Sequence, residues 1–255
     1  MFIIKRVVSV FLQVALMIGL VLTVYATPAV GAEVSIIFTH DMHAHFDPER
    51  YMTENGSSER GGYSRLKSAI DTIRGDYPES FLFDAGDFSM GTLYQTIYSE
   101  EAPDLRMMGY IGYDAVTLGN HEFDYRAQGL TDMFATAVAF GGLLPAVTIA
   151  NIDWDRTLAD ENRMERARDL RTAMAQYGVE EEYLIIEKGG VRAAVFGLMG
   201  IEADSNAPES GLYFKDQIET ARMIVSQIRA EAQADIIICL SHSGFVVCGQ
   251  RIGLR

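Results

Sequence analysis

Short, continuous apolar runs alternate along the chain with stretches in which apolar residues return every three or four positions. Residues 34–39, 81–83, 114–118, 146–150 and 236–240 are runs of the first kind. Their length and continuity predict strands buried on both faces. Between them, Tyr63, Leu66, Ile70 and Ile73 recur at helical spacing, and Gly75 and Pro78 close that helix. Pro103 suits the first turn of a short helix. Leu130, Phe134 and Val138 mark another, closed by Gly141 and Gly142. Residues 160–177 carry both charge signs and only a thin stripe of Met164, Ala167, Met174 and Tyr177, which predicts an exposed helix. Asp216 and Glu219 form a capping box ahead of Ile218, Ala221, Val225, Ile228 and Ala232, one face of a last helix. Residues 183–187 and 191–198 flank Lys188-Gly189-Gly190, a hairpin turn. The polar, glycine-containing residues 47–62 read as a loop. Strands alternating with helices, plus one hairpin, give a layered α/β fold with a largely parallel but mixed sheet.

The first 32 residues stand apart from this pattern. Lys5 and Arg6 precede an apolar run from Val7 to Tyr25, and Val30-Gly31-Ala32 supplies small residues, the pattern of a secretory signal peptide cleaved after Ala32. The expected location is therefore periplasmic or extracellular, with no stable membrane anchor once the signal is removed. The apolar run is nearly long enough to span a bilayer, and an uncleaved N-terminal anchor is the alternative. The 255 residues are 49% hydrophobic, enough for a substantial core, and the net charge of −14 disfavours a nucleic acid polymer or an anionic membrane as partner. The same charge repels small anions unless bound cations reverse the local field. Only Cys239 and Cys248 are present; Cys239 falls inside an apolar run and reads as a buried, inert thiol. The methionines read as core filler.

Chemistry collects where the strands end. Asp41 and His43 follow the first strand, Asp87 the second, Asn120, His121, Glu122 and Asp124 the third, and His242 the last. In open α/β sheets ligands bind at the carboxyl ends of strands. In extended chain, Asp41 and His43, two apart, point the same way and can reach one ion. Asp87 has two oxygens and can bridge two cations; Asn120 and His242 suit the second. Imidazole, carboxylate and amide without thiolate fit two divalent ions such as Mn, Zn, Fe or Mg, with the identity left open. His121 is directed to a substrate phosphate, and Asp124 is placed to hold its ring in one tautomer. His40 and His45 read as loop or supporting groups, Asp84 as a loop brace, Asn151 as structural and Trp154 as a loop residue.

These motifs resemble the calcineurin-like metallophosphoesterase superfamily: Asp41-x-His43, Gly86-Asp87, and Gly119-Asn120-His121-Glu122 with Asp124. Gly61-Gly62, Gly91-Thr92-Leu93, Gly112-Tyr113-Asp114-Ala115 and Leu240-Ser241-His242 look like its exported 5′-nucleotidase branch, and the resemblance covers residues 34–244. It implies a four-layer α/β/β/α domain with mixed sheets and a dinuclear centre that hydrolyses phosphate esters, most commonly nucleotides, by a metal-bridged hydroxide. One ion would take Asp41, His43 and Asp87, the other Asp87, Asn120 and His242. His121 and Asp124 would be the catalytic pair, and Asn120 and His121 would contact the small-molecule substrate.

The family pattern continues past Leu240-Ser241-His242 to a Gly-x-His-x-His motif and a C-terminal nucleotide-binding domain, whereas residues 245–255 do not resemble it. The expected organisation is a signal peptide at 1–32 and a metallophosphoesterase domain at 33–255, incomplete at its C-terminus. Each ion would then be one ligand short and the sheet would leave an unpaired edge. The rival expectations are a non-catalytic remnant with weak metal binding and an exported binding module. Oligomeric state is left open.

Overall fold

The structure is a computed structural model that describes residues 33–201, 205, 207–231 and 234–243. The N-terminal apolar run, Ala232, Cys248 and the final residues of the chain lie outside them. In chain order the elements are β1 (Ile36–Thr39), β2 (Glu49–Thr53), β3 (Gly56–Arg60), α1 (Tyr63–Asp76), β4 (Phe81–Asp84), α2 (Tyr98–Glu101) and α3 (Pro103–Ile111). There follow β5 (Ala115–Val116), α4 (Arg126–Phe140), β6 (Ala146–Val147), α5 (Trp154–Ala159), α6 (Met164–Tyr177), β7 (Leu184–Lys188), β8 (Val191–Met199), α7 (Gln217–Glu231) and β9 (Ile236–His242). None of the described helices is long and apolar enough to cross a membrane.

The strands sort into two principal sheets. One runs β1-β4-β5-β6 and is parallel throughout. The other runs β7-β8-β9, antiparallel at the predicted hairpin and parallel between β8 and β9. Side chains alternate across each strand. Phe81, Phe83 and Ala115 of the first sheet therefore pack on Ala193, Val195 and Leu240 of the second. Leu82, Val116 and Val147 point the other way, into a core with Ile70, Leu105, Leu130, Phe134 and Leu170 from the helices. On the far side, Ala194, Phe196 and Leu198 pack against Ile224 and Ile228 of α7. The order is helix, sheet, sheet, helix, a mixed α/β fold in four layers. Burial on both faces accounts for the continuous apolar runs of the central strands.

The two sheets are tied by more than apolar contact. Lys188 Nζ, on β7, donates to Asp114 Oδ2 at 2.7 Å and to the Ser80 carbonyl at 3.1 Å. The Ala150 amide donates to the Gly197 carbonyl at 2.8 Å.

Several expectations are corrected. Residues 49–60 form a hairpin, not a loop: the polar strands β2 and β3 are held across the ladder by Arg50 to Glu59 and Arg60 to Glu49, each at 2.8 Å. Strand β1 is not buried on both faces, because it lies at the end of its sheet; Ile36 is 41% and Phe38 67% exposed. Cys239 is exposed rather than buried, on the last strand of the second sheet, although partial burial still pushes its thiol up to about 11. Trp154 is not in a loop but opens α5, buried, with the Arg171 guanidinium 5.1 Å from its ring centroid. The buried stripe of α6 is wider than its periodicity suggested, through Leu170 and Ala173. On α7, Ile218 points outward and Ile224 takes its expected place in the core. Of the methionines, Met108 and Met133 are core residues, whereas Met52 and Met223 are exposed.

Candidate metal centre

The ends of both sheets meet at one corner of the molecule. Strand β1 leads to Asp41 and His43, β4 to Asp87, β5 to Asn120 and His121, and β9 ends on His242. The loops after β1 and β4 continue to pair beyond their strands: the Ala85 amide donates to Thr39 O at 2.9 Å, Asp41 N to Gly86 O at 3.0 Å, and His43 N to Asp87 O at 3.0 Å. Asp41, His43 and Asp87 all adopt left-handed backbone conformations, with φ of 50°, 47° and 54°. Such conformations are unfavourable for residues with a Cβ and persist where the surroundings impose them. The chain from Asp41 to His43 is thus not extended as expected, and the three side chains are brought near one another within a few residues of a strand end.

Two glycines let the loops touch. A Cβ on Gly86 would meet the Gly119 amide nitrogen at 2.6 Å. A Cβ on Gly119 would run into Asp87 Oδ1 and lie 2.6 Å from its amide nitrogen. The glycine ahead of Asp87 and the one ahead of Asn120 are thus each required by the other's loop.

The five residues expected to bind metal converge, and His121 joins them. One ligand atom from each of His43, Asp87 and His121 lies within 4.8 Å of the others, and the same holds for Asp41, Asp87 and His242. Asp87 belongs to both groups. His242 Nε2 stands 3.2 Å from Asp87 Oδ2 and 3.2 Å from Asn120 Oδ1, which brings the amide into the same cluster. His242 Nδ1 lies 3.0 Å from the Ala85 carbonyl. A carbonyl only accepts, so Nδ1 carries the proton and Nε2 is directed at the cluster. The donor set of carboxylate, imidazole and amide oxygen, at these separations, fits divalent cations. His43 and His121 form an edge-to-face pair with ring centroids 5.0 Å apart. His43 Nε2 stands 3.7 Å from Asp41 Oδ1, the pair expected to share an ion, and the same clustering also brings His43 beside His121 and Asp41 beside His242.

His121 Nδ1 is 2.8 Å from Asp124 Oδ2, and its amide donates to Asp87 Oδ1 at 2.8 Å. Burial works against a charge on His121, but Asp124 and Asp87 outweigh it and raise the pKa. At His242, burial likewise opposes the charge, yet the Asp87 carboxylate prevails and lifts the pKa to about 9. Burial pushes Asp87 up, and His242 together with the His121 amide more than reverses this, holding its carboxyl below the ordinary range. The site thus keeps a carboxylate charged in a largely buried place, next to nitrogens that a cation and a proton would contest.

The supporting residues are equally defined. Asp84 accepts from the Thr39 hydroxyl at 2.6 Å and from the Gly86 amide at 2.9 Å, and Thr39 Oγ1 lies 2.8 Å from the Tyr113 hydroxyl. Asp84 is a brace, as expected. Asn151 bonds the Met199 backbone from both ends of its amide, at 2.7 and 2.9 Å, a structural role. His40 pairs with Asp41 on the exposed side, and His45 is exposed in the loop beyond. Sequence reasoning missed what Glu122 does. It is fully buried and its carboxylate accepts from backbone amides of two loops. The signal was available: an acid directly after the paired Asn120 and His121, followed by the apolar Phe123.

The profile of the calcineurin-like phosphoesterase family matches residues 34–253. The trifunctional nucleotide phosphoesterase protein YfkN of Bacillus subtilis is 28% identical over 222 residues, which is 83% of this chain and 14% of that protein. The 5′-nucleotidase of Bos taurus is 30% identical over 220 residues, 84% of this chain and 34% of that protein. Among solved structures, the 5′-nucleotidase precursor from Thermus thermophilus superposes with a TM-score of 0.63 at 25% identity, over 83% of this chain and 37% of the other. The chain spans about a third of the length of these two 5′-nucleotidases.

Proposed function

Since the chain belongs to the calcineurin-like phosphoesterase family, we propose that it carries the metal-dependent catalytic part of a phosphate ester hydrolase whose substrates are nucleotides. One observation carries the reading: Asp87 is shared by two ligand groups whose atoms lie within 4.8 Å of one another. A carboxylate common to two clusters suits two adjacent divalent cations. Asp41, His43, Asp87, Asn120 and His242 would hold the ions. Bound there, the ions would supply Lewis acidity toward a phosphoryl oxygen and a nucleophilic water at neutral pH.

The remaining work falls to residues of the chain. With Nδ1 engaged by Asp124, His121 has Nε2 left to give a proton to the leaving oxygen or to steady charge on the phosphoryl group. The raised pKa of His121 supports this role, because the ring holds its proton more firmly near neutral pH. Asp124 fixes the tautomer and raises ring basicity. Asn120 stands beside His242 and would contact the substrate as well as an ion. Residues 1–32 fit a signal peptide, and the same reading has the protein act outside the cytoplasm.

The test is hydrolysis of p-nitrophenyl phosphate and of AMP by the full chain, with Mn added. Turnover should rise with Mn and fall about a hundredfold or more in Asp87→Ala. Mn binding without turnover would leave a non-catalytic metal-binding domain, and no Mn binding at millimolar concentration would refute the assignment.

A further inference from the structure

Glu122 sits at the centre of the two ligand loops without reaching either ligand group itself. It is fully buried. Its Oε2 accepts from the Asp87 amide at 2.9 Å and the Gly119 amide at 2.6 Å. Its Oε1 accepts from the Ser89 amide at 3.0 Å and the Ser89 hydroxyl at 2.7 Å. Two donors per oxygen use all the acceptor capacity of a carboxylate. The residue is anchored in turn by its own carbonyl, which accepts from the Tyr98 hydroxyl at 3.0 Å.

The donors are not scattered. Asp87 and Ser89 lie on the loop after β4, and Gly119 immediately precedes Asn120 on the loop after β5. Resting on the function proposed above, we propose that Glu122 is a positioning residue: it clamps these two loops at the spacing that aims Asp87 at both ion positions and keeps Asn120 beside it. Hydrogen bonds to a buried charged acceptor are stronger than neutral ones and their geometry is narrow. The Asp87 backbone is held by Glu122 and one of its carboxylate oxygens by the His121 amide, so its direction is set before a cation arrives. An isolated buried carboxylate would be costly. Here the cost is offset by ordering the loops on which the centre depends.

Glu122→Gln is nearly isosteric but offers one accepting oxygen in place of two, so one side of the clamp would face N–H against N–H. Calorimetric titration of the full chain with Mn should show affinity reduced at least about tenfold, in the range seen when a group supporting a metal ligand is lost. Amide hydrogen exchange should accelerate at Asp87, Ser89 and Gly119. Ile228→Ala, on the buried face of α7, lowers stability without touching the loops and should leave Mn affinity within about twofold of the parent. If Glu122→Gln fails to fold, Ser89→Ala removes a single donor and should weaken Mn binding about threefold, one modest hydrogen bond's worth. Unchanged affinity in whichever of these two variants folds, or an equal loss in Ile228→Ala, would overturn the proposal. If the parent itself binds no Mn, the phosphoesterase reading fails separately, and exchange decides: acceleration confined to those three amides upholds the clamp, and its absence refutes it.

Discussion

Asp84 shows how one buried acid ties pH to the integrity of the site. Burial pushes its pKa up to about 8 from an ordinary value of 3.8, against the opposing hydrogen bonds from Thr39 and Gly86. The folded chain therefore keeps a proton that the unfolded chain gives up. The stability this contributes is full below pH 3.8 and is lost progressively as pH rises toward 8. Asn at position 84 copies the neutral side chain and has no proton to lose. The urea-unfolding gap between Asp84→Asn and the parent, measured with chelator present, should move in favour of the variant from pH 5 to pH 8. The change should be no more than about 1.4 kcal/mol per pH unit. A constant gap would mean that Asp84 ionises at its ordinary value. The residue scale also marks a boundary of legibility. Asp41, His43, Asp87, Asn120 and His242 announced themselves as polar groups at strand ends. The Ala85 carbonyl that orients His242 is a backbone atom of an ordinary residue, and no sequence pattern marks it.

At the scale of elements, β8 carries a glycine where β-propensity would favour a branched residue. A Cβ on Gly197 would collide with the Thr148 carbonyl oxygen and the Thr117 hydroxyl, and lie 2.8 Å from the Thr148 carbonyl carbon. The glycine lets the two sheets meet backbone to backbone next to the site, where the Ala150 amide reaches the Gly197 carbonyl. Gly197→Ala should cost about 1–3 kcal/mol through overpacking, read as a lower urea midpoint; an unchanged midpoint would show that the sheets separate there without penalty. An isolated glycine in a strand hints at close backbone approach, yet the partner strand cannot be read from the chain. The hairpin of β2 and β3 was illegible for a different reason. Its strands show no apolar alternation, because charge pairs across the ladder and not burial hold them.

For the molecule as a whole, the two-sheet sandwich leaves β1 at the end of one sheet with Phe38 largely exposed. An apolar edge of this kind invites association, and Phe38→Lys should raise the protein concentration at which light scattering sets in; an equal threshold would place the association surface elsewhere. Strand ends were legible from periodicity, since burial on two faces gives continuous apolar runs and helices repeat every three or four residues. Periodicity implied one mixed sheet, and the division into two sheets and four layers came only with the family resemblance. The polar groups at those ends were legible too, because a core has no use for them. Only the tertiary structure decided that His242 comes from the second sheet while the other ligands come from the first, so the centre spans two sheet ends and not a single rim. It alone decided that His43 stands beside His121, that β1 is an edge, and that Glu122 joins two loops. The physical reason is common to all of these. Periodicity records how a segment divides between core and solvent, whereas partners distant in sequence are chosen by packing, which leaves no local trace.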